Sequence, residues 1–128
     1  MTEIDALGAH SPTEETKEID GIPEIELWSL DATLTDYILP RIKAFRKMER
    51  HGYPIFEALG REDAASDEEW KEIEERNLAN WENILVDIEN AFQLLKNGNC
   101  EHDRTDAQHE IITKGLGLFV MHYEHLWD

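Results

Sequence analysis

Apolar residues recur every three or four positions in three stretches of the chain, which is the period of an amphipathic helix. In the first stretch they fall at Leu34, Ile38, Ile42, Phe45 and Met48. We predict that this helix begins at Asp31, because aspartate is a favoured N-cap residue. Pro40 lacks a backbone donor, so we expect the helix to kink or restart there. Gly52 and Pro54 should end it.

The second stretch carries the longest apolar stripe in the chain. Its members are Trp70, Ile73, Asn77, Trp81, Ile84, Ile88, Phe92 and Leu95. We expect Asp67 to cap this helix and Gly98 to terminate it. About 30 residues would then extend over roughly 45 Å, so a comparably long partner must lie against it.

The third stretch starts at Asp103 or Thr105 and runs to near Trp127. Its main stripe consists of Ile112, Leu116, Phe119, Tyr123 and Leu126. Further apolar residues widen that stripe on both sides, so we predict that this helix is the central one. Gly115 and Gly117 each cost about 1 kcal/mol relative to alanine, and we expect a neighbouring helix to approach closely there.

These stretches predict an all-α fold, a compact antiparallel bundle of three to four helices. Residues 25–128 would form one helical domain, with a loop over residues 56–66. Residues 1–24 are polar, acidic and aperiodic, which predicts a disordered or loosely docked acidic arm.

The composition indicates a soluble protein of a reducing compartment. Hydrophobic residues make up 41% of the chain and charged residues 32%. No apolar run approaches the roughly 20 residues needed to span a bilayer, and the first residues do not resemble a secretory signal. Cys100 is the only cysteine, so an internal disulfide is excluded and the cytoplasm is favoured.

The charge distribution narrows the choice of partners. The net charge is −17, yet residues 31–50 hold five bases against three acids. Nucleic-acid backbones need neutralising bases, so we expect no binding of them by the bulk surface. A basic protein partner fits better.

Helical geometry places four bases away from the apolar face of the first helix: Lys43, Arg46, Lys47 and Arg50. One interpretation is a solvated surface that offsets the acidic second helix or the acidic arm. The other is a docking site for an anionic partner.

Arg41 instead falls on the predicted apolar face, where a guanidinium needs a partner. Glu74 is the first choice, and Asp31, Asp36 and Asp87 are alternatives. The pair would either fix the register of the helices or leave Arg41 as an anion-binding residue in a pocket opened by the kink.

Metal chemistry and catalysis have weak support in the sequence. His122 and His125 are three residues apart, and His109 lies three to four turns earlier, but the Glu-x-x-His element of helical metal sites is absent. These histidines are therefore weak metal candidates, and we predict no metal, no cofactor and no catalytic residue.

The motif EExxE at Glu68, Glu69 and Glu72 is typical of all-α nucleotide pyrophosphohydrolases, whose carboxylates hold Mg²⁺. The ExxD pair that such enzymes need on a following helix is missing from ENILVDIENAF. An acidic first turn explains the glutamates without catalysis.

Several motifs occur together in a recognisable order: LWSLDATLTDYILPRIKAF, GYP, EEW and GLGLFVMHYEHLWD. In this combination the chain resembles a family of small tailed-bacteriophage proteins, over roughly residues 26–54 and 68–128. The resemblance implies a viral context and a helical fold, but no mechanism. Trp28 and Arg41 fall on matched positions, and Tyr53 lies in the matched GYP turn.

The leading hypothesis is a phage accessory protein that binds a macromolecular partner in the cytoplasm of the infected host cell. The partner would be a viral or host protein, including a defence or nucleic-acid-processing factor with a basic surface. The alternatives are a small-molecule or metal-dependent activity, such as nucleotide binding or hydrolysis, near Arg41 and Glu74, and a minor virion component. A homodimer stays open, and no membrane partner is expected. The candidate binding residues are Trp28, Arg41, Lys43, Arg46, Lys47, Arg50, Tyr53 and Glu74.

Overall fold

The computed structural model describes residues 17–50, 52–54, 64–98 and 101–127. The elements are β1 (Glu18–Ile19), β2 (Ile22–Pro23), α1 (Ile25–Trp28), α2 (Leu30–Lys47), α3 (Asp67–Lys96) and α4 (Asp106–Met121), followed by a 3-10 turn (Tyr123–His125). The predicted all-α class is confirmed, with one short hairpin added. Within the described ranges, no helix combines the length and the apolarity needed to cross a membrane.

The chain divides into two compact units, Met1–Leu34 and Thr35–Asp128. In the first, β1 and β2 pair antiparallel through a turn at Asp20 and Gly21, whose φ angles are 54° and 84°. Positive φ at both turn positions is what a two-residue hairpin requires, and Asp-Gly meets it at low cost. Most of the predicted arm, residues 1–16, lies outside the described residues.

Helix α2 begins one residue before the predicted cap and continues through Pro40, so the predicted restart is wrong. Its buried residues are Thr35, Leu39 and Ile42, whereas Leu34 and Met48 of the predicted stripe are exposed.

Helix α3 is the centre of the second unit. Ser66 caps it, because its hydroxyl accepts a hydrogen bond from the Glu69 N–H at 3.1 Å, and Gly98 follows its end with a φ of 90°. Seven residues of α3 are buried: Ile73, Asn77, Trp81, Leu85, Ile88, Ala91 and Phe92. The predicted loop before it lies mostly outside the described residues.

Helix α4 opens with a capping box in which Thr105 and Gln108 exchange hydrogen bonds. It ends at Met121, several residues earlier than predicted, and only Ile112 and Gly115 are buried along it. The prediction that this helix is central is therefore wrong. Its apolar residues surround the helix, and part of them face solvent.

Contacts along the helices show that both neighbours run antiparallel to α3. Lys96 meets Asp36 near one end of α2 and Glu82 meets Arg46 near the other. Trp81 packs against His122 at the end of α4. The predicted antiparallel helical packing is confirmed in this unit, with a core built on Leu39, Ile42, Ile88 and Phe92.

Candidate functional site

Four charged side chains join α2 and the residues just after it to α3. Arg46 donates from Nε to Glu82 at 2.8 Å and from Nη1 to Glu89 at 2.7 Å. Arg50 reaches the other oxygen of Glu82 at 3.0 Å and also donates to the carbonyl of Phe45 at 2.6 Å. The side chain of Arg50 is only 14% exposed, so this cluster is a half-buried part of the helix interface.

The pKa values of the cluster follow from these contacts. The pKa of Arg46 is raised by its hydrogen bonds to Glu89 and Glu82. Partial burial raises the pKa of Glu82, but the hydrogen bonds from Arg46 and Arg50 outweigh burial and leave it below its usual value. The raised pKa of Arg46 and the lowered pKa of Glu82 both favour the charged forms of this pair at neutral pH.

The predicted outward orientation of the four bases is wrong for Arg46 and Arg50, which lie against α3. Lys43 is half-buried and Lys47 is exposed. The ion pairs of Arg46 and Arg50 with α3 agree with the interpretation that the basic segment, residues 31–50, offsets the acidic second helix.

Arg41 is exposed, so the predicted burial on the apolar face is wrong. Its Nη1 donates to the carbonyl of Tyr37 at 2.9 Å, and its guanidinium carbon lies 3.6 Å from the centroid of the Tyr37 ring. The predicted pair with Glu74 is absent from the described ranges. Two of the alternative partners form ion pairs with other residues: Asp36 with Lys96 and Asp87 with Lys114.

A groove of about 310 Å³ lies beside Arg41. Arg41 and Tyr37 line one part of it, and the other described residues of its lining are apolar: Ile38, Ile42, Phe45, Phe119 and Leu126. The groove therefore combines an apolar surface with one positive charge.

Glu74 is associated with Tyr53 instead. Partial burial raises the pKa of Tyr53, and the charge of Glu74 and a hydrogen bond to it raise it further. This contact joins the GYP turn to α3. Trp28, at the end of α1, belongs to the first unit and is more than half exposed.

His122 and His125 are brought together, with their Nδ1 atoms 3.0 Å apart. Both rings meet Trp81 edge to face. Burial lowers the pKa of His122, and the nearby His125 lowers it further. A hydrogen bond between two Nδ1 atoms requires that at least one ring is neutral.

His109 lies elsewhere, between Arg104 and Thr113. No group of three or more metal-ligating side chains occurs in residues 17–50, 52–54, 64–98 and 101–127, and Cys100 falls outside these ranges. In the EExxE motif, Glu69 accepts a hydrogen bond from the Ala65 N–H, which agrees with a capping role.

The sequence did not point to a set of exposed apolar side chains at the end of α4, which we call the terminal patch: Val120, Met121 and Tyr123. Their exposed fractions are 75%, 68% and 65%. Together with Phe119, Glu124 and His125 they line a depression of about 540 Å³. Tyr123 was predicted on the apolar stripe and Val120 at its border, which hid the exposure of both.

These features define a small acidic helical protein whose second unit presents the groove and the terminal patch among its described apolar surfaces. The chain matches no protein-family model, and neither curated proteins nor solved structures give a match. The bacteriophage resemblance therefore stays a prediction, and function has to be inferred from the geometry.

Proposed function

We propose that this protein acts by binding a macromolecular partner, and that the terminal patch is the centre of the binding surface. The observation that carries the proposal is the exposure of Val120, Met121 and Tyr123 side by side. Contiguous exposed apolar side chains with a polar surround are characteristic of protein interaction sites. Tyrosine and methionine are also enriched in such interfaces.

The charge of the chain supports a basic protein as the partner. The net charge is −17, and exposed carboxylates such as Glu68, Glu72 and Glu75 line the outer side of α3. Complementary charge speeds association and selects among partners more than it adds affinity. A nucleic-acid backbone would be repelled by the same surface.

The predicted resemblance to tailed-bacteriophage proteins supports a narrower proposal. The partner would be a host defence or nucleic-acid-processing factor, met in the cytoplasm of the infected cell. A role as a minor virion component stays a prediction, and so does the homodimer.

Photo-crosslinking tests the location of the surface. A photoreactive amino acid is placed at Met121 and, as a control, at Leu78, which is also exposed. We expect a protein from a bacterial lysate to crosslink at position 121 but not at position 78. Equal crosslinking at both positions would contradict the proposal, and crosslinks between two copies would support the homodimer instead.

The captured protein then allows an affinity measurement. Val120→Ser should weaken binding about tenfold or more, as expected for a central interface residue. Ile111→Ser, on the same helix, should leave affinity unchanged. Binding should also be slower at higher salt, because screening weakens electrostatic steering. Equal affinities for the two variants would rule out the terminal patch.

A further inference from the structure

Arg41 differs from the other bases of the basic segment whose partners are described. Arg46 and Arg50 meet carboxylates of α3. Along the described parts of the chain, Arg41 meets no carboxylate, and its hydrogen bond goes to the carbonyl of Tyr37. A base that meets no carboxylate of the described residues is unusual in a chain with 29 acids and 12 bases.

The position of Arg41 is fixed although its side chain is exposed. The guanidinium lies over the Tyr37 ring at 3.6 Å, a distance at which cation–π attraction operates. The hydrogen bond to the Tyr37 carbonyl restrains the same group. Since arginine has five N–H donors, most of them remain for another acceptor.

The groove beside Arg41 provides an apolar surface next to this positive charge. Its volume of about 310 Å³ is at the lower end of the range for small-molecule sites, roughly 300–1,000 Å³. Of the seven described residues that line it, five are apolar and Arg41 alone is charged. The suitable ligand thus has an apolar body and one negative charge.

We propose that the groove binds a small amphipathic carboxylate, with its apolar part against Ile42, Phe45 and Phe119 and its carboxylate on Arg41. The planar guanidinium matches a carboxylate through two parallel hydrogen bonds. A single cation suits a monoanion, whereas a phosphate dianion would need further positive groups. This site lies next to the partner surface proposed above, and Phe119 lines both.

Octanoate is a suitable probe, and two analogues of the same chain length isolate the charge. We expect octanoate to bind the full chain saturably, octanamide at least tenfold more weakly and octylammonium not at all. The difference follows from the strength of hydrogen bonds to charged groups. Calorimetry gives the affinities, and amide chemical shifts locate the site.

Variants of exposed bases complete the test. Arg41→Gln should lose at least tenfold in octanoate affinity, while Arg41→Lys should lose less because it keeps the charge. Lys47→Gln, on the same helix but outside the groove, should bind like the unaltered protein. The Arg41 side chain is exposed, so all three variants should keep the same unfolding midpoint.

Several results would overturn the proposal. They are an absence of saturable octanoate binding at millimolar concentrations, equal affinity for octanoate and octanamide, and unchanged affinity in Arg41→Gln. If octanoate changed the amide chemical shifts of Val120 and Met121 alone, the probe would lie on the terminal patch rather than in the groove, and the proposal would fail.

Discussion

Gly115 is a point at which α4 closely approaches α3, and its replacement by alanine should weaken the fold. A methyl group there would overlap the Cβ atom of Ala91 and lie 2.5 Å from the carbonyl oxygen of Asp87. Neither atom can rotate away, because one is backbone and the other is attached directly to it. The two helices would have to move apart.

The size of the effect follows from two opposing contributions. Alanine is favoured over glycine in a helix interior by about 1 kcal/mol. Overpacking typically costs about 1–3 kcal/mol, and occasionally more. Since the groups that resist here are rigid, the cost should lie near the upper end of that range, about 3 kcal/mol. We therefore expect Gly115→Ala to lower the free energy of unfolding by about 2 kcal/mol overall.

Gly117 provides a matched control on the same helix. Apart from its own helix backbone and chain neighbours, no described residue comes within 4 Å of the position that a Cβ atom of residue 117 would take. The predicted close approach is therefore confirmed for Gly115 and wrong for Gly117. Gly117→Ala should therefore raise the free energy of unfolding by about 1 kcal/mol.

Urea unfolding followed by circular dichroism and tryptophan fluorescence measures both variants. Combining Gly115→Ala with Ala91→Gly should recover part of the loss, because the Cβ overlap disappears while the contact with the Asp87 carbonyl remains. If Gly115→Ala were as stable as Gly117→Ala, the close approach of α3 and α4 would be refuted.

Two further predictions concern charge. Glu82→Gln should lower the free energy of unfolding by about 1 kcal/mol, because half-buried Arg46 loses a charged partner. This value is reduced for solvent screening. As a control, Glu75→Gln on the exposed side of α3 should leave the free energy of unfolding unchanged in the same urea assay. The free energy of unfolding should also fall as the pH drops below about 6.5, the usual pKa of histidine. The pKa of His122 is lowered in the folded protein, so the unfolded chain binds the proton at a higher pH than the folded chain does. The loss of stability ends once the pH is below the folded-state pKa. His122→Asn should flatten this dependence and His109→Gln should not; an equal slope in both would contradict the assignment.

The sequence was informative where one face of a helix differs from the rest. Ile73, Trp81 and Phe92 of α3 were predicted on the stripe and are buried, because polar residues occupy the remaining circumference. The apolar residues of α4 surround the helix, so no pattern could distinguish the buried Ile112 from the exposed Val120.

Helix α2 shows why Arg41 was misplaced. Its buried face begins at Thr35, a polar residue that an apolar pattern overlooks, and continues through Leu39 and Ile42. Ile42 lies on both faces, but the predicted stripe used Leu34 and Ile38, each one residue before the buried Thr35 and Leu39. This rotation of the predicted face placed Arg41 inside and Arg46 outside. The acids that meet Arg46 are 36 and 43 residues away along the chain, and no local pattern indicates such a contact.

The two proposed sites share one ring. Phe119 lines both the groove beside Arg41 and the depression of the terminal patch. It packs edge to face on the core residue Phe92 and on Tyr123 of the patch, with ring centroids 5.2 Å and 5.7 Å apart. A carboxylate in the groove and a protein on the patch would therefore contact the same side chain from two sides. If the carboxylate changes the affinity for the protein partner by moving Phe119, linkage requires that the partner changes the affinity for the carboxylate by the same factor.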